Sequence, residues 1–432
     1  MRIVVLDIAA SKTGALSVLQ DFASYVQNNE KKHDWIFVTG AEGLVNPLPD
    51  SPNVRILVRS DVKKSKFARL YFEHVTGRDF LSDLKPDVIF SLQNTIPRGA
   101  ESVRNAAGGL ARKVLYIHQP LGFQKWKRFS FLNKWERECA LYQYLISGEI
   151  DSSAKKADQI IVQTEWMKEA VGEKCGIPEG RIKRIMPDIP DLSDFRDPAL
   201  SWSPKKFLFP SGPIFYKNHT CIVDAVKLLQ KRGIEDFQVF FTLRKRDLPW
   251  VDNCRGLVWL GSLSREMLLR FYQVSTLIFP SYIETFGYPP AEARQFGVPI
   301  LASDMPFCRE VLGDYKNVRY FHPFRPEELA DQMQDIILSR DLLKEKNRGR
   351  EKSQSLSEGV LAGKCFNQEM DDKGGDGIER QVISVENRGN KGLFHALPIK
   401  TKRDTEALHM LSDTENPTNS SFQKIIDVLT ND

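Results

Sequence analysis

Nowhere in the 432 residues does an apolar run approach the ~20 residues that a membrane-spanning helix needs. The amino-terminal Met1-Arg-Ile-Val-Val-Leu-Asp7 is apolar too briefly for a signal peptide and meets an acid at once, so it reads as a first strand. The expectation is a cytoplasmic chain whose membrane contact, if any, is peripheral and on the inner face. Cysteines are few and scattered, at 139, 175, 221, 254, 308 and 365, with no close pair and no zinc-ligand spacing. That argues for reduced thiols and against a disulfide framework or a zinc site. Charge of one sign is also scarce. The net is +5, divided as +9 over the first 350 residues and −4 beyond. Such a body favours anionic partners such as nucleotide phosphates or a membrane surface, but is too dilute for nucleic acid. Neither a G-x-G-x-x-G nor a P-loop spacing is present.

What the chain does have is alternation of short apolar runs and helical stretches, the pattern of parallel sheets flanked by helices. Strands are expected over 2–7, 35–39, 54–58, 87–91, 114–118 and 159–163, with an amphipathic helix over 15–26 between the first two. Four prolines and four acids, Asp188, Asp191, Asp194 and Asp197, then interrupt the pattern. They read as a solvated hinge, with a metal site as the alternative. The alternation restarts with strands over 206–210, 237–242, 257–260, 276–279, 298–302 and 318–321. Helices are expected over 219–231, 264–274, 290–296, 306–312 and 326–339. The chain therefore divides into a domain over 1–190, a linker over 191–204, a second domain over 205–345, and an atypical low-order tail over 346–432. Glycines among polar residues make disorder the default for that tail, although 422–429 has the makings of a short helix.

One stretch organises the rest: Thr276-Leu-Ile-Phe-Pro-Ser-Tyr-Ile-Glu284-Thr-Phe-Gly-Tyr-Pro-Pro-Ala-Glu292-Ala. It reads as strand, loop, helix. Gly287 frees the backbone and Pro289-Pro290 favours a first helical turn. Glu284 falls in the loop and Glu292 in the helix. A helix start between two carboxylates suits an anionic phosphate, and the carboxylates suit hydroxyls of a sugar and a ribose. Lys217, in a loop after the strand at 206–210, would place a compact charge near a diphosphate. Gly14, after the first strand, permits close approach of a ligand to backbone amides. Taken alone, the carboxylate stretch and Gly14 are equally compatible with ordinary turns, and Lys217 reads as a solvated surface charge. Lys125–Arg137 mixes bulky aromatics with five bases. It reads either as a headgroup-interface segment or as a partly buried helix with a basic edge.

The pattern E-x7-E after P-S, followed by F-G-x-P-P-x-E-A, resembles the nucleotide-sugar site of retaining glycosyltransferases of GT-B fold, the group called family 4. The resemblance covers roughly residues 1 to 345. It implies an α/β architecture of two Rossmann-like parallel-sheet domains facing a cleft, a nucleoside-diphosphate-sugar donor, and a saccharide or lipid-linked acceptor. It also implies an enzyme of cell-surface polysaccharide or glycolipid synthesis. It assigns Glu284, Lys217 and His118 (in Y-I-H-Q-P) to catalysis. Glu292, Phe286, Gly287, Gly14, Arg244 and Glu310 are assigned to the donor. Many relatives carry an arginine right after the glycine where Pro213 stands here, so Arg244 is a candidate replacement. No D-x-D stands at a strand end, so no metal or other cofactor is expected. The rivals are a nucleotide-sugar epimerase of the same fold and a non-catalytic nucleotide-sugar-binding scaffold.

Overall fold

The first strand, β1 (Arg2–Asp7), explains the first domain: Ile3 and Val5 pack to one side while Val4 and Leu6 pack to the other, and all four are buried. A strand covered on both faces belongs in a parallel sheet between helical layers. The computed structural model describes residues 1–10, 13–46, 51–339 and 420–431. Around β1 stand β2 (Asp34–Thr39), β3 (Val54–Val58), β4 (Val88–Ser91), β5 (Arg112–Tyr116), β6 (Gln159–Val162) and β7 (Ile182–Arg184), in the order β3-β2-β1-β4-β5-β6-β7. All pairs in it are parallel. β7 was not expected from sequence: only Ile182 of its three residues is buried, too short an apolar signal to read.

Right-handed crossovers place helices by the direction of travel across the sheet. From β1 to β2 the chain moves one way through α1 (Thr13–Asn29). It moves the other way through α2, a continuous helix made of Lys66–Tyr71, a π turn Phe72–Thr76, and Gly77–Leu84. So do α3 (Arg137–Leu141, the π turn Tyr142–Ile146, and Ser147–Lys156) and α4 (Glu165–Cys175). Hence α1 covers one face and α2, α3 and α4 cover the opposite one.

The second domain repeats the scheme. β8 (Lys206–Phe209), β9 (Gln238–Phe241), β10 (Leu257–Trp259), β11 (Thr276–Phe279), β12 (Ile300–Ser303) and β13 (Val318–Phe321) form a parallel sheet ordered β10-β9-β8-β11-β12-β13. Its helices are α5 (His219–Lys231), α6 (Arg265–Val274), α7 (Tyr288–Ala293), α8 (Pro306–Leu312) and α9 (326–339). Of the two serines placed by sequence to cap α6, Ser262 and Ser264, it is Ser264 that does so, accepting from the Met267 N–H at 3.2 Å.

The expectation of low order through to residue 432 does not hold at its end. The short helix legible over 422–429 is present as α10 (Ser421–Thr430), packed on α1's face of the first sheet. Ile425, Ile426 and Leu429 are buried there, and the Phe422 ring lies 5.8 Å from Phe22 and 5.6 Å from Tyr25. Asp188 fixes its start, accepting from the Ser421 N–H at 2.7 Å and the Ser420 hydroxyl at 2.8 Å. Most of the segment expected to be disordered lies outside the described residues. Three of the four acids are engaged by protein: besides Asp188, Asp191 accepts from the Ser193 N–H at 2.9 Å and Asp197 pairs with Arg270 at 3.4 Å. The helix weighed for the aromatic and basic segment is also absent, since regular helix begins only at its last residue, Arg137.

Candidate functional site

Both sheets end their strands toward one another, and the loops at those carboxyl ends are where open α/β sheets take ligands. In the second domain two such loops are knitted together. After β8 the chain makes a single turn, Phe215–Lys217, closed by Asn218 in the left-handed region at φ 63°. The Asn218 side-chain amide donates to the Pro280 carbonyl at 3.2 Å and to the Pro323 carbonyl at 2.7 Å. The Tyr282 N–H donates to the Tyr216 carbonyl at 3.2 Å. These bonds bring Lys217 onto Glu284: the ammonium donates to Glu284 Oε1, with both side chains largely buried. Next to them His219 is buried with Nε2 2.8 Å from the Ser211 hydroxyl.

Gly287 has φ 108°, a conformation that a side chain would strain, and it turns the loop into α7. Pro289 and Pro290 occupy the opening of α7, and neither carries an N–H. Anion donors here are therefore confined to loop amides and that of Tyr288, a narrower set than a helix start ordinarily offers. The Phe286 side chain is turned away, buried against Ala291 and Val311. Glu292 is buried. Its Oε2 accepts from the Tyr272 hydroxyl at 3.0 Å and its Oε1 pairs with Arg265 at 2.7 Å. Burial and the Glu292 carboxylate hold the Tyr272 phenol well above its ordinary value, so it stays protonated and donates. Each carboxylate oxygen retains a further lone pair for a ligand hydroxyl. Sequence reasoning missed Arg265 and Tyr272. The signal was their spacing of seven on one helix, two turns along one face.

Arg244 is exposed on the β9 rim, its side chain against Gly261. Gly14 falls in the first turn of α1. Glu310 is taken up between the domains. Its two oxygens accept from the Glu165 N–H at 3.0 and 2.8 Å, and Arg184 donates to it at 3.0 Å, so it caps α4 across the domain boundary. The Thr164 hydroxyl adds a second tie, donating to the Thr285 carbonyl at 2.7 Å. Of the basic segment, Trp126 donates to the Tyr282 carbonyl at 2.6 Å and Trp135 lies 5.2 Å from Trp250. Its tryptophans therefore join the domains instead of facing outward.

From the first domain, His118 lies at the end of β5, its N–H donating to Asn94 Oδ1 at 2.7 Å and its ring 5.6 Å from Tyr116. Burial above all, with Tyr116 next, raises the Tyr288 phenol at the start of α7 above its ordinary value. Burial pushes the His118 imidazole down to about 4, so it is neutral near pH 7. Burial also pushes the Asp7 carboxyl at the end of β1 up to about 7, even though it accepts from the Ala10 N–H at 3.1 Å. Its Oδ2 has no hydrogen-bond partner among the described residues.

These shifts have opposite signs in stability. Asp7 binds its proton more tightly folded than at the unfolded 3.8. Its contribution is full below that value and is lost as pH rises through 7. His118, depressed from 6.5, contributes above 6.5 and loses that contribution as pH falls through about 4. Thermal melts of Asp7→Asn are expected to lose less stability than the parent between pH 5 and 8. An unchanged slope would remove Asp7 as the source.

Comparison with known proteins gives the same picture. Residues 251–355 match the family described as Glycosyl transferases group 1, as the E-x7-E resemblance implied. The O-antigen chain mannosyltransferase RfbU of Salmonella typhimurium is 24% identical over 171 residues, 37% of this chain and 46% of that one. The serotype-specific mannosyltransferase WbdA of Escherichia coli is 35% identical over 84 residues, 19% of this chain and 10% of that one. The chain thus spans less than half the length of these curated relatives. Among solved structures, Alr3699/HepE of Anabaena, in complex with UDP-glucose, superposes with a TM-score of 0.53 at 14% identity, covering 79% of this chain and 91% of that one. A glycosyltransferase of Rickettsia africae gives 0.51 at 14%, covering 78% and 87%. These likenesses show the fold, which is GT-B. Among the described residues no helix is long and apolar enough to cross a membrane.

Proposed function

We propose that this chain, whose residues 251–355 belong to the glycosyl transferases group 1 family, moves a hexose from a nucleoside-diphosphate sugar to a saccharide or lipid-linked acceptor with retention, in cell-surface polysaccharide or glycolipid synthesis. The observation that carries this reading is the Lys217 and Glu284 pair, assembled from two loops at the cleft end of the second sheet. When the glycosidic bond breaks, negative charge builds on the departing diphosphate. A preorganised cation and loop amides stabilise that charge without having to reorient, a contribution on the order of 3 kcal/mol each. Lys217 supplies the cation and the amides about Phe286 and Gly287 the dipoles. Glu284 holds the ammonium in place until the donor arrives, then accepts from a donor-sugar hydroxyl. Glu292, braced by Tyr272 and Arg265, accepts from the ribose. Neutral His118 presents an uncharged ring to the sugar. Arg244 adds a second cation in place of the arginine absent at Pro213.

The test is a panel of nucleoside-diphosphate sugars, mannose and glucose forms included, screened for thermal stabilisation and then for released nucleoside diphosphate in EDTA. A donor at ~100 times its Kd adds ~2.7 kcal/mol to the folded state. Turnover undiminished by EDTA is the expected result, and abolished turnover would overturn metal independence. Pro213 favours one other reading, the non-catalytic binding scaffold. Donor binding without turnover, insensitive to Glu284→Ala, would establish it.

A further inference from the structure

The first domain leaves one helix face bare. On α2, Phe67, Leu70, Tyr71 and Val75 are 77, 52, 51 and 54% exposed. Their spacing places them along one side of the helix. Leu145 on α3 is 61% exposed and Leu132, just before α3, is 93% exposed. The rings of Phe131 and Tyr144, 5.9 Å apart, hold the Leu132 loop against α3.

The two helices are neighbours, because His74 on α2 lies 3.6 Å from Glu149 on α3. Both close right-handed crossovers in the same direction over one sheet face, so they run parallel. Leu70 and Tyr71 precede His74 by about one turn, as Leu145 precedes Glu149. The bare side chains therefore come together, toward the helix starts. Those starts adjoin the carboxyl ends of the strands, which form the cleft. Single exposed apolar residues are ordinary, but a contiguous patch from three segments is not.

Around this patch bases outnumber acids, although Glu149 lies at the α2–α3 contact and exposed Glu138 in the first turn of α3. Between 59 and 78 there are six Lys and Arg against two acids, and between 125 and 137 five against one. Glu73, one of the acids, is turned inward to Gln93 and Thr95. Exposed Lys64 and Lys66 precede Phe67, while exposed Arg128 and Lys134 flank the Leu132 loop. An apolar centre ringed by lysines suits acyl chains beneath anionic headgroups. It suits a protein partner poorly, because lysine is depleted at such interfaces. A second copy would set the two basic rims against each other.

We propose that this face of α2 and α3, with the Leu132 loop, docks on an anionic phospholipid surface and sets the cleft mouth at the headgroup level. The proposal rests on the glycosyltransferase reading only for what the cleft would meet there, a lipid-linked acceptor. Binding itself is independent of turnover, so the two fail separately.

The experiment is flotation of the full chain with vesicles of phosphatidylcholine alone or with phosphatidylglycerol. Flotation is expected only with the anionic lipid. Lys64→Glu/Lys66→Glu is expected to weaken it by more than tenfold, and Phe67→Ser/Leu70→Ser to abolish it. Both variants should keep the parent's thermal stabilisation by donor, since their sites are exposed on the first domain whereas Lys217, Glu284 and Glu292 lie in the second. Equal flotation on neutral vesicles, or flotation unaffected by either variant, would overturn the proposal. So would a concentration-dependent dimer in sedimentation that Phe67→Ser/Leu70→Ser dissolves.

Discussion

Replacing Lys217 with methionine is expected to lower kcat by about 10²–10³, the usual effect of removing one preorganised donor from a developing negative charge. The physical case is its placement. A lysine on a flexible stem does little unless its ammonium is already where the charge will form, and here Asn218 and Glu284 hold it. Glu284→Gln is expected to lower kcat to a similar extent, because it both loosens the ammonium and loses an ionised acceptor for the sugar. The two losses should combine to less than their product, as residues acting as a unit do. Release of nucleoside diphosphate at saturating donor measures all three variants. A kcat within threefold of the parent in Lys217→Met would remove the pair from catalysis. Because Glu284 is left largely buried without its partner in Lys217→Met, thermal melts should accompany the kinetics.

The second large effect concerns stability. Ile426→Ala and Leu429→Ala are each expected to cost about 2–5 kcal/mol, since each empties a buried position between α10 and the first sheet. Together they should lower the melting temperature by roughly 10 °C or more, with a few degrees lost per kcal/mol in a domain of this size. The Asp188 cap adds to this, because it anchors the start of α10 to the segment that leaves β7. Calorimetry decides: a double variant melting within 2 °C of the parent, on the order of 1 kcal/mol or less, would show that α10 contributes no more than surface packing.

Much of this protein was legible in its residues because the determinants are local. Apolar runs bounded by polar turns mark β1, β11 and β12; Ser264 marks the start of α6; proline marks α7 and α8. The spacing of Glu284 and Glu292 lies within one strand, loop and helix, so it too is written locally. Other features depend on what two distant segments do to each other, and no periodicity encodes that. Lys217 reaches Glu284 only because Asn218 ties its loop to the end of β11. The unsatisfied amides at the start of α4, brought across the boundary by packing, draw Glu310 to Glu165, a contact no spacing in the sequence records. The tryptophans of 125–137 join the domains because apolar surface of the second domain lies beside them, leaving the bare patch to α2, α3 and the Leu132 loop. Local patterning determined which elements form and which side chains are chemically able to act. Tertiary packing decided which of them meet, because burial and hydrogen-bond satisfaction are settled between elements and not within them.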